Sequence, residues 1–142
     1  MLNRQANTGA RVLLADDHPA VAEDLRALLE PEFDVIATVG DGYELVAAAE
    51  TLIPDVIVTD ITMPGLDGMA AAGEILRRNP CARIVFVTVH NDAEIVQKAL
   101  TTGVLGYVIK LTAGDELVPA TQAAMRGERY VSPLVRRRST EP

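Results

Sequence analysis

The chain has 142 residues, a formal net charge of -7, a single cysteine (Cys81) and no tryptophan, with nearly half of its residues apolar. That length suits one domain able to bury about two-thirds of its unfolded surface. An internal disulfide is excluded, no apolar run approaches the roughly 20 residues of a membrane span, and the acidic balance argues against this domain gripping nucleic acid by itself, because such binding rests on phosphate neutralisation by Lys and Arg.

Residues 1–10 are polar, lack the apolar segment of a signal peptide and read as a loose tail. A cytoplasmic protein is therefore expected. Arg11-Val-Leu-Leu-Ala15 reads as a first strand that runs into Asp16-Asp17. His18-Pro19 opens a helix carrying Val21, Leu25, Leu28 and Leu29 on one face, and Pro31 stops it. A second strand is predicted over 33–39, a turn over 40–42, and an alanine-rich helix over 43–52 that ends at Ile53-Pro54. Val56-Ile-Val-Thr59 shows no polar alternation, the mark of a strand covered on both faces, and it stops at Asp60.

The Pro64-Gly65 turn leads to a helix over 67–78 with Met69, Ala72, Ile75 and Leu76 inward, closed by Asn79-Pro80. A fourth strand covers 83–89, a helix runs to about Thr102 with Gly103 as its left-handed stop, and a fifth strand covers 104–110. The last helix is predicted over 115–126, with Gly127 after it. We take 11–131 as the folded unit and 132–142 as a linker or tail. Five strands alternating with five helices predict right-handed βαβ units in a doubly wound α/β sheet.

Four of the five strands end on polar residues: Asp16-Asp17, Asp60, Thr88 and Lys110. A parallel sheet brings these ends together, where three converging carboxylates repel unless a cation or proton intervenes. A hard ion such as Mg²⁺, which takes one or two carboxylates plus phosphate oxygens, resolves the conflict. The bland readings stand beside this one: Asp16-Asp17 as a helix cap, Asp60 as a turn residue, Lys110 as a snorkelling strand end and Thr88 as an ordinary strand residue.

In combination and order, Asp16-Asp17, Asp60-x-x-Met63-Pro64-Gly65-x-Asp67-Gly68, Thr88 and Lys110 resemble the response-regulator receiver domain of bacterial two-component signalling, over about residues 10–131. The resemblance implies a flavodoxin-like five-stranded sheet of order 2-1-3-4-5, and Asp60 as acceptor of a phosphoryl group from a histidine kinase. It implies Mg²⁺ held by Asp16, Asp17, Asp60 and the Thr62 carbonyl. Thr88 would hydrogen-bond the phosphoryl group and Lys110 would ion-pair with it. Tyr107 is implied as a rotamer switch, and Thr62 and His90 as residues that tune dephosphorylation. Asp16-Asp17-His18-Pro19 and Gly127-Glu-Arg-Tyr-Val-Ser-Pro133 are similar to receivers that precede a LuxR-type DNA-binding domain; the chain is then either a stand-alone receiver or the receiver part of a transcriptional regulator that reaches DNA only through an output domain outside this chain, with a homodimer possible on phosphorylation. Arg136, Arg137 and Arg138 are given no role.

Two departures from the family pattern carry expectations. Leu111 stands where many receivers have a proline in a cis peptide, so a trans bond is predicted. Pro119 lies within the last helix and predicts a late start or a kink. The competing functions are a Mg²⁺-dependent phosphatase or phosphotransferase using Asp60, and a receiver-like scaffold that is not phosphorylated.

Overall fold

The computed structural model describes residues 9–135; the N-terminal tail through residue 8 and Arg136, Arg137 and Arg138 lie outside the described residues. The elements are β1 (Arg11–Ala15), α1 (Pro19–Leu29), β2 (Asp34–Val39), α2 (Gly42–Leu52), β3 (Val56–Thr59), α3 (Gly68–Arg78), β4 (Ile84–Thr88), α4 (Ala93–Thr102), β5 (Gly106–Ile109), α5 (Ala113–Met125) and β6 (Tyr130–Val131). All strand pairs are parallel, and the sheet order is 2-1-3-4-5 with β6 added beside β5.

The unbroken apolar runs of the strands are explained by where alternate side chains go. Leu13, Ile57, Ile84 and Phe86 face one apolar layer, under α2, α3 and α4. Val12, Leu14, Val56, Val58, Val85, Val87 and Val108 face the other, under α1 and α5. Both faces of β1, β3, β4 and β5 are covered, so their central positions are apolar on either side of the pleat. Each side chain so buried contributes about 1.5–3 kcal/mol. Along α1, Ala22, Leu25 and Leu29 are buried while Val21 and Leu28 are only half-buried, so the buried stripe is narrower than the sequence pattern. Gly103, at φ 106, closes α4 as expected.

Several expectations are corrected. A sixth strand extends the sheet: Tyr130 and Val131 pair with Gly106 and Tyr107. Packing continues past it, for Ser132 and Val135 are buried. Helix α5 does not start late: a 3₁₀ turn over Lys110–Thr112 feeds it, it begins at Ala113, and it continues through Pro119 to Met125. Both Pro119 and Asp115 are exposed, so the Asp115 carbonyl that Pro119 cannot serve is open to water. No cis peptide occurs among the described residues, so the Lys110–Leu111 bond is trans as predicted.

In a sheet of order 2-1-3, the chain leaves β1 for one side and β3 for the other. A crevice forms at the carboxyl ends of β1 and β3, where ligands bind in such folds. Asp16, Asp17 and Asp60 stand there.

Candidate functional site

Asp60 follows β3 directly, its N–H bonded to the Ala15 carbonyl of β1 at 3.0 Å, which fixes its height against the first strand. Its carbonyl accepts the Thr59 hydroxyl at 2.9 Å. Its carboxylate is buried and divided between two donors: Oδ1 accepts the Ile61 N–H at 2.7 Å, and Oδ2 accepts Lys110 Nζ at 2.9 Å. Gly68, the first residue of α3, lies against the same backbone; a Cβ there would stand 1.9 Å from the Asp60 carbonyl oxygen. Only glycine lets α3 start so close to Asp60.

Lys110 reaches across from the end of β5 and joins two of the acids, with Nζ 2.8 Å from Asp16 Oδ2 and 2.9 Å from Asp60 Oδ2. Burial works against its ammonium, but the hydrogen bonds and charges of Asp16 and Asp60 outweigh that and hold its pKa above the ordinary lysine value. Asp16 is almost fully buried, and its Oδ1 accepts the His18 N–H at 2.9 Å. Asp17 is more open, with Oδ1 3.2 Å from His18 Nδ1.

Two carboxylates thus share one ammonium with a third beside them, and acid remains in excess. Asp16 Oδ2 and Asp17 Oδ1 are buried yet receive no well-directed hydrogen bond from the protein, Lys110 and His18 approaching them only as ion-pair partners. Asp16, Asp17 and His18 each place a ligand atom within 4.8 Å of the others. Buried, under-satisfied carboxylate oxygens are the donors that a hard cation takes, so these residues fit Mg²⁺. Asp60 lies across Lys110 from that group.

Thr88 ends β4 and is fully buried; its Oγ1 accepts the His90 N–H at 3.2 Å. Thr62 and His90 meet, Thr62 Oγ1 lying 2.7 Å from His90 Nε2 in a hydrogen bond that joins the loops after β3 and β4. Tyr107 is wholly buried, edge-on to Phe86, and donates its hydroxyl to the His90 carbonyl at 2.8 Å. Burial first, then the negative charges of Asp92 and Asp60, push its phenol well above the ordinary tyrosine range, so it remains a donor. Sequence reasoning placed all of these residues at one end of the sheet but missed how they join. His18 beside the acids was legible from adjacency. The use of the His90 backbone carbonyl had no signal, since every residue has one.

Two clefts are of similar size. One of about 340 Å³ runs beside Asp16, Asp17 and Thr38. Another of about 380 Å³ opens at the opposite end of the sheet, between α2 and α3, with Ile53, Arg78, Cys81 and Arg83 in its wall. Size does not choose between them; the buried, unequally paired charges do.

The family model for the response regulator receiver domain matches residues 12–122. The chain is 34% identical over 137 residues to the transcriptional regulatory protein DegU of Brevibacillus brevis, covering 94% of this chain and 58% of that protein. It is 39% identical over 120 residues to LiaR of Bacillus subtilis, covering 83% of this chain and 57% of that protein. The chain therefore spans a little over half the length of these relatives. Among solved structures, a two-component response regulator of the LuxR family from Aurantimonas sp. SI85-9A1 superposes with a TM-score of 0.89 at 36% identity, covering 93% of this chain and 96% of that one. The isolated receiver domain of RcsB from Salmonella enterica serovar Typhimurium, determined with a beryllofluoride phosphomimetic, gives 0.85 at 30% identity, covering 92% and 98%.

Proposed function

The chain belongs to the response regulator receiver domain family, and from that premise we propose that it is switched by phosphorylation of Asp60. The observation that carries this reading is the cluster of Asp16, Lys110 and Asp60, two buried carboxylates and a half-buried ammonium from the ends of three strands with acid in excess over base. The donor is the phosphohistidine of a histidine kinase. An Asp60 carboxylate oxygen attacks phosphorus, the N–P bond breaks as the O–P bond forms, and the imidazole leaves with the electron pair. Ile61 N–H and Lys110 orient the Asp60 carboxylate for this attack. As charge gathers on the phosphoryl oxygens, Lys110 moves its ammonium from Asp16 and Asp60 toward them, and the Thr88 hydroxyl, whose proton is not used by His90 N–H, donates to them.

Asp16, Asp17, Asp60 and the Thr62 carbonyl would hold Mg²⁺, which when bound would offset the negative charge that the site's one ammonium leaves unbalanced. Thr62 and His90, hydrogen-bonded to each other across the loops after β3 and β4, set how readily water reaches the acyl phosphate. Phosphorylation replaces a singly charged carboxylate with a group carrying about two negative charges, enough to redraw the hydrogen bonds of Thr88 and Tyr107. The matched relatives are transcription regulators by name, so the natural output is a partner or dimer contact that governs DNA binding outside these residues, in the cytoplasm. Among the described residues no helix is long and apolar enough to cross a membrane. The match to the receiver family over residues 12–122 favours this reading over a small-molecule phosphatase.

The test is intact mass after incubation with Mg²⁺ and acetyl phosphate. One added phosphoryl group, removed by hydroxylamine and missing in Asp60→Asn, is the expected result. A folded wild-type protein with no adduct from acetyl phosphate and no uptake of beryllofluoride would overturn the proposal in favour of an unphosphorylated scaffold.

A further inference from the structure

The segment that leaves the folded unit is tied to the acid site by two routes, and both end on Ser132. Along the first, Thr88 Oγ1 accepts the His90 N–H, the His90 carbonyl accepts the Tyr107 hydroxyl at 2.8 Å, and the Tyr107 carbonyl accepts the Ser132 N–H at 2.8 Å. Along the second, Lys110 opens the turn that feeds α5, and α5 carries Glu116, whose Oε2 accepts the Ser132 hydroxyl at 3.3 Å.

Glu116 takes no part in phosphoryl chemistry, yet it is a buried carboxylate. Its other oxygen accepts the Tyr130 hydroxyl at 3.2 Å. A carboxylate survives there because it lies in the first turn of α5, where the helix end favours negative charge, and because two hydroxyls solvate it. Ser132 is itself fully buried and commits both its N–H and its hydroxyl to these routes. Three residues on, Val135 is also fully buried, in the same apolar cluster as Tyr107, Val96 and Ala99.

We infer that Ser132 is a positioning residue that converts the state of Asp60 into the placement of the segment through Val135 against β5 and α5. The inference rests on the receiver reading. When Thr88 and Lys110 turn to a phosphoryl group, each pulls on one of the two bonds that hold Ser132. With either bond alone the segment pivots about a single contact. With both, it is fixed against β5 and α5 together.

The experiment is residue-resolved amide exchange in the 142-residue chain with Mg²⁺ alone and with Mg²⁺ plus beryllofluoride, while fluorine NMR reports occupancy of Asp60. Loading is expected to change exchange at the Ser132 and Val135 amides by about tenfold, a local rather than global effect. Ser132→Ala is expected to bind beryllofluoride as wild type does while the response at Val135 falls below about twofold. Glu116→Gln, which keeps the side chain's shape and weakens its acceptor, should act in the same direction, and covers the case in which Ser132→Ala does not fold. Bound fluoride signal with unmoved exchange at 130–135, or a full response in the folded variants, overturns the inference alone. No bound signal in wild type overturns the receiver reading and the inference with it.

Discussion

The two ends of this sheet carry charge in opposite ways. At the carboxyl end, Asp16, Asp60 and Lys110 are largely withdrawn from water and pair with one another, with acid left in excess. At the amino end, beside the cleft between α2 and α3, Glu74 is gripped by Arg77 and Arg78, and Arg78 also reaches Glu50, all on the surface. Hydrogen bonds from Arg77 and Arg78 pull the Glu74 carboxyl down to about 2, a large shift, yet water screens the group and little stability is tied to it. Burial, not the size of a pKa shift, decides which charged cluster matters.

Removing the cation from the buried end should separate the two most sharply. Lys110→Met leaves Asp16 and Asp60 facing each other in a buried site and should lower the unfolding free energy by about 3 kcal/mol, the low end for breaking a buried pair, since the cleft admits some water. Denaturant titration measures this, and Mg²⁺ should restore part of the loss. The pH dependence follows from the raised Lys110 pKa: its contribution is complete below the ordinary lysine value and is lost as pH climbs through the higher folded-state value. The gap between wild type and Lys110→Met should therefore hold steady through neutral pH and narrow in alkali.

A smaller effect is expected from Gly68→Ala, which drives a methyl into the Asp60 carbonyl and displaces α3 or Asp60; about 1–3 kcal/mol of stability should go. The rate of adduct formation from acetyl phosphate should fall with it. An unchanged rate would show that the height of Asp60 is not critical. Smallest of all, Arg78→Ala cuts exposed pairs and should leave the thermal midpoint and its salt dependence unchanged within error. A clear drop would mean that the amino-end cluster is more than a solvated surface.

The difference between the two ends also explains what could be read from sequence. Asp60, Thr88 and Lys110 were legible because each interrupts a run of apolar strand residues, and the period of the βαβ units carries such interruptions to one end. Glu116 and Ser132 gave no such signal: a glutamate in a first helical turn and a serine before a proline are ordinary on a surface, and only their packing makes them buried. Strand β6 escaped notice because two residues carry no period. Pro119 misled because its cost depends on whether the stranded carbonyl meets water, which the exposed side of α5 provides.

That short sixth strand has a consequence for how the protein may be cut. By lying alongside β5, Tyr130 and Val131 use up hydrogen-bonding groups that would otherwise form an open lateral margin, a template for strand addition by another molecule. A polypeptide ended where the family match ends, at residue 122, would retain every residue of the acid site and lose that cover. It would present the flank of Gly106 and Tyr107 to its neighbours and be prone to self-association through backbone pairing.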